Sequence, residues 1–188
     1  MDCSLDLAGH EAHSQAGGEV GSLLRGERMT QLYPGFLTAV ECQALESWAE
    51  ELRYRPVPSW LGNFTFHVFG RSNGKDCGPA PEAILVILRR IGTLVPGQTW
   101  TTIFAQKYET GNYVKSHRDP RNNVGKTLIS VVGTFTGAET TVDGVQLTMT
   151  RGDVLELDCT INGVQGPRHA VSPVLSGVRY AAILNTLE

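Results

Sequence analysis

His117-Arg118-Asp119 sets an imidazole and a carboxylate two residues apart. On an extended chain that spacing turns both side chains to the same side, where they can share one metal ion. His169 follows Asp119 by fifty residues, beside a segment with strand character, and is a candidate third ligand delivered from an opposing sheet. Two histidines and one carboxylate on one face of an iron ion leave three positions open for co-substrate and oxygen; a packed or surface histidine is the alternative for His169. Arg179 stands ten residues further on, past Ser176-Gly177, which reads as a turn. A guanidinium inside a cavity requires an anion, and its planar fork fits a carboxylate through two parallel hydrogen bonds. The matching guest is an acid lying between metal and arginine, and a structural ion pair is the competing role. Upstream, Tyr108, Gly111 and Val114 lead to His117 at intervals that suit a strand, a turn and the first ligand. The Tyr108 hydroxyl is free to bond a bound acid, or else its ring packs in the core.

These residues need elements to hold them. Thr38 and Glu41 stand three apart as a capping box, and Val40, Ala44, Leu45, Trp48 and Leu52 form one apolar stripe, predicting a helix over about 39–52. A second helix is marked by Pro81 at its start, the run Ala83–Leu88, Arg89 and Arg90 near its C-terminal dipole, and Gly92 as its stop. After Thr99 the period shifts to two: 101–105, 128–132, 145–149, 154–157 and 180–184 read as strands. Asp143-Gly144 suits a tight hairpin, while Gly133, Gly137, Gly152, Gly163 and Gly177 read as turn punctuation. Short strands without intervening helices favour an antiparallel sandwich or barrel braced by two helices over a doubly wound parallel sheet.

Composition bounds the rest. With 188 residues, 41% hydrophobic and 19% charged, the chain supplies one sizeable core. Residues 1–28, rich in Gly, Ala, Ser and Glu, are expected to form a mobile arm, and 29–188 the domain. The longest apolar run, Ala83–Leu88, is far short of a membrane span, and the first residues lack a basic and an apolar signal region. An intracellular location, cytoplasmic or nuclear, is the expectation. Cys3, Cys42, Cys77 and Cys159 form no CxxC pair and are expected to be reduced thiols. The net charge of -3 is unevenly spread, for residues 53–126 carry eleven basic and four acidic side chains. That segment can face an anion such as nucleic acid, although solvated charges explain it as well.

Three rival motifs lose on context. Gly70-Arg71-Ser72-Asn73-Gly74 satisfies the GxSxG nucleophile pattern, but Lys75 to Pro79 breaks the helix that must follow it. Arg151-Gly152-Asp153 reads as a turn into a strand, and Asn63-Phe64-Thr65 is a sequon without a secretory route.

The order YETGNYVKSHRDP, RGDVLELD and RHAVSPVLSGVRY resembles the iron and 2-oxoglutarate dependent dioxygenases, most closely their AlkB-like branch, over roughly residues 32–186. YPGFLTAVECQALESWAEEL and CGPAPEAILVILRRI resemble the two helices that precede the barrel there. The resemblance implies a double-stranded β-helix (jelly-roll), mainly β with two N-terminal helices. It implies Fe(II) on His117, Asp119 and His169, with the far carboxylate of 2-oxoglutarate on Arg179 and O2 as the second co-substrate. Tyr108, Gln106 and Asn185 complete the implied 2-oxoglutarate site. Gln106 stands where the repair enzymes usually carry Asn, so the amide function survives. Ala181 and Asn185 replace an Asn and an Arg typical of nucleic-acid repair members, which weakens direct nucleobase demethylation. The aromatic segment 60–69 precedes the barrel where the family places a substrate cover; Phe64, Phe66 and Val68 are expected in the core. Trp60, His67, Arg71 and Lys75 are the substrate-binding candidates, suited to base stacking and phosphate. The reading is a dioxygenase that hydroxylates or oxidatively demethylates a substrate, a nucleobase first. A small molecule or protein side chain is the alternative, and a non-catalytic β-sandwich binding module the rival from another class.

Overall fold

The computed structural model describes residues 30–72 and 74–188, so the expected N-terminal arm lies outside the described residues. In chain order, β1 (Thr30–Tyr33) is followed by α1 (Ala39–Glu50), β2 (Arg55–Pro56), β3 (Gly62–Asn63), β4 (Thr65–Ser72) and β5 (Lys75–Asp76). Then come α2 (Glu82–Gly92), β6 (Thr102–Tyr108), β7 (Tyr113–His117), β8 (Lys126–Gly137), β9 (Thr140–Val142) and β10 (Val145–Leu147). The last elements are β11 (Val154–Asp158), β12 (Thr160–Ile161), β13 (Val164–Gln165), β14 (His169–Val171) and β15 (Val174–Asn185).

The larger sheet runs β1-β11-β8-β15-β6-β4-β2, with β5 hairpinned on β4, and the smaller runs β10-β9-β14-β7-β3. The sheet pairings are antiparallel throughout. Mainly β structure with two helices is the expected jelly-roll architecture.

Strand alternation divides the larger sheet between two cores. Tyr180, Ala182 and Leu184 of β15 join Ile103 and Ala105 of β6 against Leu45, Trp48, Ile84 and Ile91 of the helices. The intervening residues face the other way, where Phe66, Val68, Tyr108 and Ala181 meet Val114 of β7 between the sheets. The helices therefore stiffen the wall whose opposite face lines the inter-sheet space.

Thr38 accepts from the Glu41 amide at 3.3 Å and its own amide donates to the Glu41 carboxylate at 2.9 Å, so the capping box forms as expected. Glu41 also receives Arg90 Nε at 2.6 Å, which ties α2 to the start of α1. The first helix ends two residues earlier than its apolar stripe suggested, because Glu51 already serves as the C-cap. Asp143 (φ 44°) and Gly144 (φ 83°) make the expected two-residue turn between β9 and β10.

Gly133, Gly137 and Gly177 are not turns between strands, since Gly133 and Gly137 belong to β8 and Gly177 to β15. β8 and β15 cross so closely there that a Cβ on Gly133 would sit 2.3 Å from the Val178 carbonyl oxygen. One on Gly177 would sit 2.0 Å from that of Thr134. The glycines are demanded by strand proximity at positive φ, so two long strands run where the residue pattern suggested shorter ones broken by turns. Cys77 is disulfide-bonded, correcting the expectation of a reduced thiol; a bond between cysteines far apart in sequence leaves no local spacing signal. Cys42 and Cys159 are free, as expected, and both are buried. Among the described residues no helix is long and apolar enough to cross a membrane.

Replacing Gly177 by Ala is expected to destabilise the fold by more than about 1 kcal/mol, because positive φ and a backbone clash act together. A lowered thermal midpoint in calorimetry checks it.

Candidate metal and acid-binding cavity

His169 does not come from an opposing sheet as expected: β14 is the neighbour of β7 in the smaller sheet, and the two strands pair with His117 directly opposite His169. Their rings lie 4.3 Å apart between centroids, and Asp119, two residues beyond the end of β7, completes the group. Asp119 Oδ1 is 3.9 Å from His117 Nε2 and 3.6 Å from His169 Nε2. All three ligand atoms fall within 4.8 Å of one another, close enough to hold one ion. The Nδ1 atoms face backbone carbonyls, Lys115 at 2.9 Å for His117 and Pro167 at 3.3 Å for His169. With Nδ1–H donated to a carbonyl, Nε2 is left as the lone-pair donor toward a metal. Burial, then the neighbouring His169, holds the His117 imidazole below its ordinary pKa, which favours the neutral ligand form.

The same cavity, about 470 Å³, is lined by the triad and by Arg179, Tyr108, Gln106 and Asn185. Alternation puts these four on the inner face of the larger sheet, with Arg179 directly opposite Tyr108 and Ala181 opposite Gln106. Arg179 is 2% exposed, lies 5.0 Å from the Tyr108 ring centroid, and has an Nε with no hydrogen-bond partner. Among the described residues it makes no ion pair with a carboxylate, so the role of structural salt bridge is not fulfilled. Burial pulls its pKa down, opposed by the Tyr108 hydroxyl, with which it shares a hydrogen bond. Tyr108 is both core and polar: its ring stacks on Phe64 at 4.9 Å, its hydroxyl donates to Gln106 Oε1, and burial pushes its pKa up to about 12. A desolvated cation with an open donor, facing a cavity, fits an acid guest.

The substrate candidates divide. Trp60, 54% exposed, lines the cavity, and Phe64 and Phe66 form its wall while belonging to the core. His67 does not line it: with Phe66 turned inward, alternation sends His67 to the helix side, 4.5 Å from the Phe69 ring, where Nδ1 lies 2.9 Å from the Arg53 carbonyl. Arg71 and Lys75 lie exposed on the β4–β5 hairpin, outside the lining. The basic stretch 53–126 is also partly neutralised, since Arg89, Arg90, Lys107 and Lys126 each meet a carboxylate. Arg118 lines the cavity and hydrogen-bonds the Gly166 carbonyl, and Gln165 Nε2 donates to the Asp119 carbonyl at 2.8 Å.

Residue types and spacing did not single out Asn123, Thr127 or Cys159. Asp119 Oδ2 accepts from Asn123 Nδ2 at 3.1 Å and from Cys159 Sγ at 3.0 Å. Burial, then the Asp119 charge, pushes the Cys159 thiol well above its usual range, so it stays a donor. Only the inward parity of Thr127 on β8 could have pointed there.

No family model matches the chain, and no curated protein matches it. Solved structures do. The viral collagen prolyl hydroxylase vCPH of Paramecium Bursaria Chlorella virus-1, in its 2OG complex, matches with a TM-score of 0.63 at 18% identity, over 84% of this chain and 95% of that one. A Trichoplax adhaerens prolyl hydroxylase, in complex with a hypoxia inducible factor peptide fragment, matches with a TM-score of 0.64 at 15% identity, over 85% and 83%. OsALKBH1 matches with a TM-score of 0.61 at 12% identity, over 86% and 100%. The fold is that of the 2OG-Fe(II) oxygenases, and the chain carries a His-Asp-His group inside it.

Alanine at His117, Asp119 or His169 is expected to cost at least about tenfold in Co(II) affinity while the melting profile persists. Titration followed by visible absorption checks each variant.

Proposed function

We propose that the protein is an Fe(II) and 2-oxoglutarate dependent dioxygenase that hydroxylates or oxidatively demethylates a substrate, with a nucleobase in nucleic acid as the first candidate. The carrying observation is the buried Arg179, which meets no carboxylate among the described residues, in one cavity with the His117–Asp119–His169 group. The donor set, two imidazoles and one carboxylate with Nδ1 atoms turned to carbonyls, fits Fe(II). Bound there, the iron would supply oxygen activation, so that substrate, O2 and 2-oxoglutarate yield hydroxylated substrate, succinate and CO2.

The protein's own groups do the placing. Arg179 offers a two-pronged donor to the far carboxylate of 2-oxoglutarate, and the Tyr108 hydroxyl, held protonated by burial, would turn its proton from Gln106 Oε1 to that carboxylate. The Gln106 and Asn185 amides line the same wall. Val57, Leu61, Phe64 and Phe66 keep the remaining wall apolar, which excludes water and admits a flat uncharged group beside Trp60. A hydroxylated N-methyl group would break down to formaldehyde and the free amine, so one cavity serves hydroxylation and demethylation. Arg71 and Lys75, exposed outside the cavity, are left for the phosphate backbone.

A second reading, hydroxylation of a protein side chain, is favoured by one observation: four cations of the basic stretch are already matched by carboxylates.

Arg179→Lys is expected to raise the 2-oxoglutarate concentration for half-maximal turnover at least about tenfold while Fe(II) demand stays level, since lysine keeps charge but loses the fork. Succinate release against 2-oxoglutarate measures it. For substrate, single- and double-stranded oligonucleotides with and without methylated bases should bind in a salt-dependent manner and stimulate succinate release. Neutralising Arg71 and Lys75 should reduce the salt slope by about one per lost phosphate contact. Absence of both responses, with stimulation by a peptide, moves the assignment to the protein hydroxylase.

A further inference from the structure

Asp119 has two carboxylate oxygens in different surroundings. Oδ1 faces His117 Nε2 and His169 Nε2, while Oδ2 turns away and takes two donors, Asn123 Nδ2 at 3.1 Å and Cys159 Sγ at 3.0 Å. Two donors occupy the two lone-pair directions of one carboxylate oxygen. We propose that Asn123, Thr127 and Cys159 form a buried positioning network that holds Asp119 as a one-oxygen metal ligand, with the Cys159 thiol supplying one of its two fixing protons. The inference rests on the metal-site reading above.

The protons can be assigned one by one. Asn123 Nδ2 has two, one for Asp119 Oδ2 and one for Thr127 Oγ1 at 3.3 Å. Thr127 has one, directed to Asn185 Oδ1 at 2.6 Å. Thr127 Oγ1 also lies 2.7 Å from Cys159 Sγ. With the threonine proton committed to Asn185, the single thiol proton has two acceptors within reach, Thr127 Oγ1 and Asp119 Oδ2, and the charged carboxylate is the stronger of the two and takes it. All three network residues are at most 2% exposed, so water does not substitute for a missing donor.

The backbone pins the donors from separate places. Asn123 donates its amide to the Pro120 carbonyl at 2.9 Å and its carbonyl accepts from Thr160 at 2.9 Å, while the Cys159 amide donates to Gly125 at 2.8 Å. The chain of contacts ends at Asn185, on the cavity wall assigned to the acid co-substrate. The metal carboxylate and that wall are therefore joined by hydrogen bonds through Thr127, from Asn123 and Cys159 on one side to Asn185 on the other.

The test uses the full chain with Co(II) as probe. Cys159→Val keeps size and loses the donor, and Cys159→Ser keeps a donor. The valine variant should bind Co(II) about 10- to 100-fold more weakly with an altered visible spectrum, and serine should restore affinity to within about threefold at a similar melting temperature. Asn123→Leu removes the other donor from a different segment and gives the same loss, which covers the case in which Cys159→Val does not fold. Wild-type affinity and spectrum in either folded donorless variant overturn the network, as does a serine variant no better than valine, which would make the sulfur mere packing. If the unaltered protein takes up no Co(II), or His169→Ala takes up as much, the oxygenase reading fails instead.

Discussion

A guanidinium taken out of water with no carboxylate partner among the described residues is costly, and the two sheets are arranged around it. Arg179 sits in β15, near the middle of the larger sheet, with β8 on one side and β6 on the other. It cannot turn to solvent, because alternation aims it between the sheets and the helices cover the opposite face. The cation-π contacts with Tyr108 and Phe135 and the hydrogen bond that Arg179 donates to the Tyr108 oxygen soften the burial but supply no negative charge. An acidic guest removes the penalty, and the cavity supplies room for one beside the His-Asp-His group.

The two halves of the site come from different sheets, and this explains the long separations in sequence. His117 and His169 meet across one ladder of the smaller sheet, while Arg179 and Tyr108 meet across one ladder of the larger. Register therefore matters twice: a one-residue slip of β15 would turn Arg179 toward the helices and Tyr180 into the cavity. The glycines at the β8–β15 crossing oppose such a slip, for residues with side chains do not fit where Gly133 and Gly177 lie.

Much of this was legible before any coordinates. The capping box, the helix stop at Gly92, the Asp143-Gly144 hairpin and the inward set Gln106, Tyr108, Arg179 and Asn185 follow from local rules or from the resemblance of YETGNYVKSHRDP and RHAVSPVLSGVRY. What was not legible depends on distant partners. Gly177 looks like a turn until β8 is placed against it, and no local spacing marks Cys77 as disulfide-bonded. His67, a substrate-binding candidate, does not line the cavity for a local reason: Phe66 and His67 cannot both face inward on β4. Arg71 and Lys75 stand out in the sequence by charge, which says nothing of which side of a hairpin faces a cavity. Asn123, Thr127 and Cys159 carry no motif at all; their meeting around Asp119 is a product of three segments converging.

The central claim is that Arg179 exists to hold the far carboxylate of a keto acid whose other end lies at the metal. Anaerobic calorimetric titration of the Fe(II)-loaded protein with 2-oxoglutarate and with 2-oxobutanoate, which keeps the keto acid and lacks the far carboxylate, tests it directly. Saturable one-to-one binding of 2-oxoglutarate, at least about tenfold tighter than that of 2-oxobutanoate, is the predicted result. Equal affinities, or no saturable binding of either acid, would contradict it.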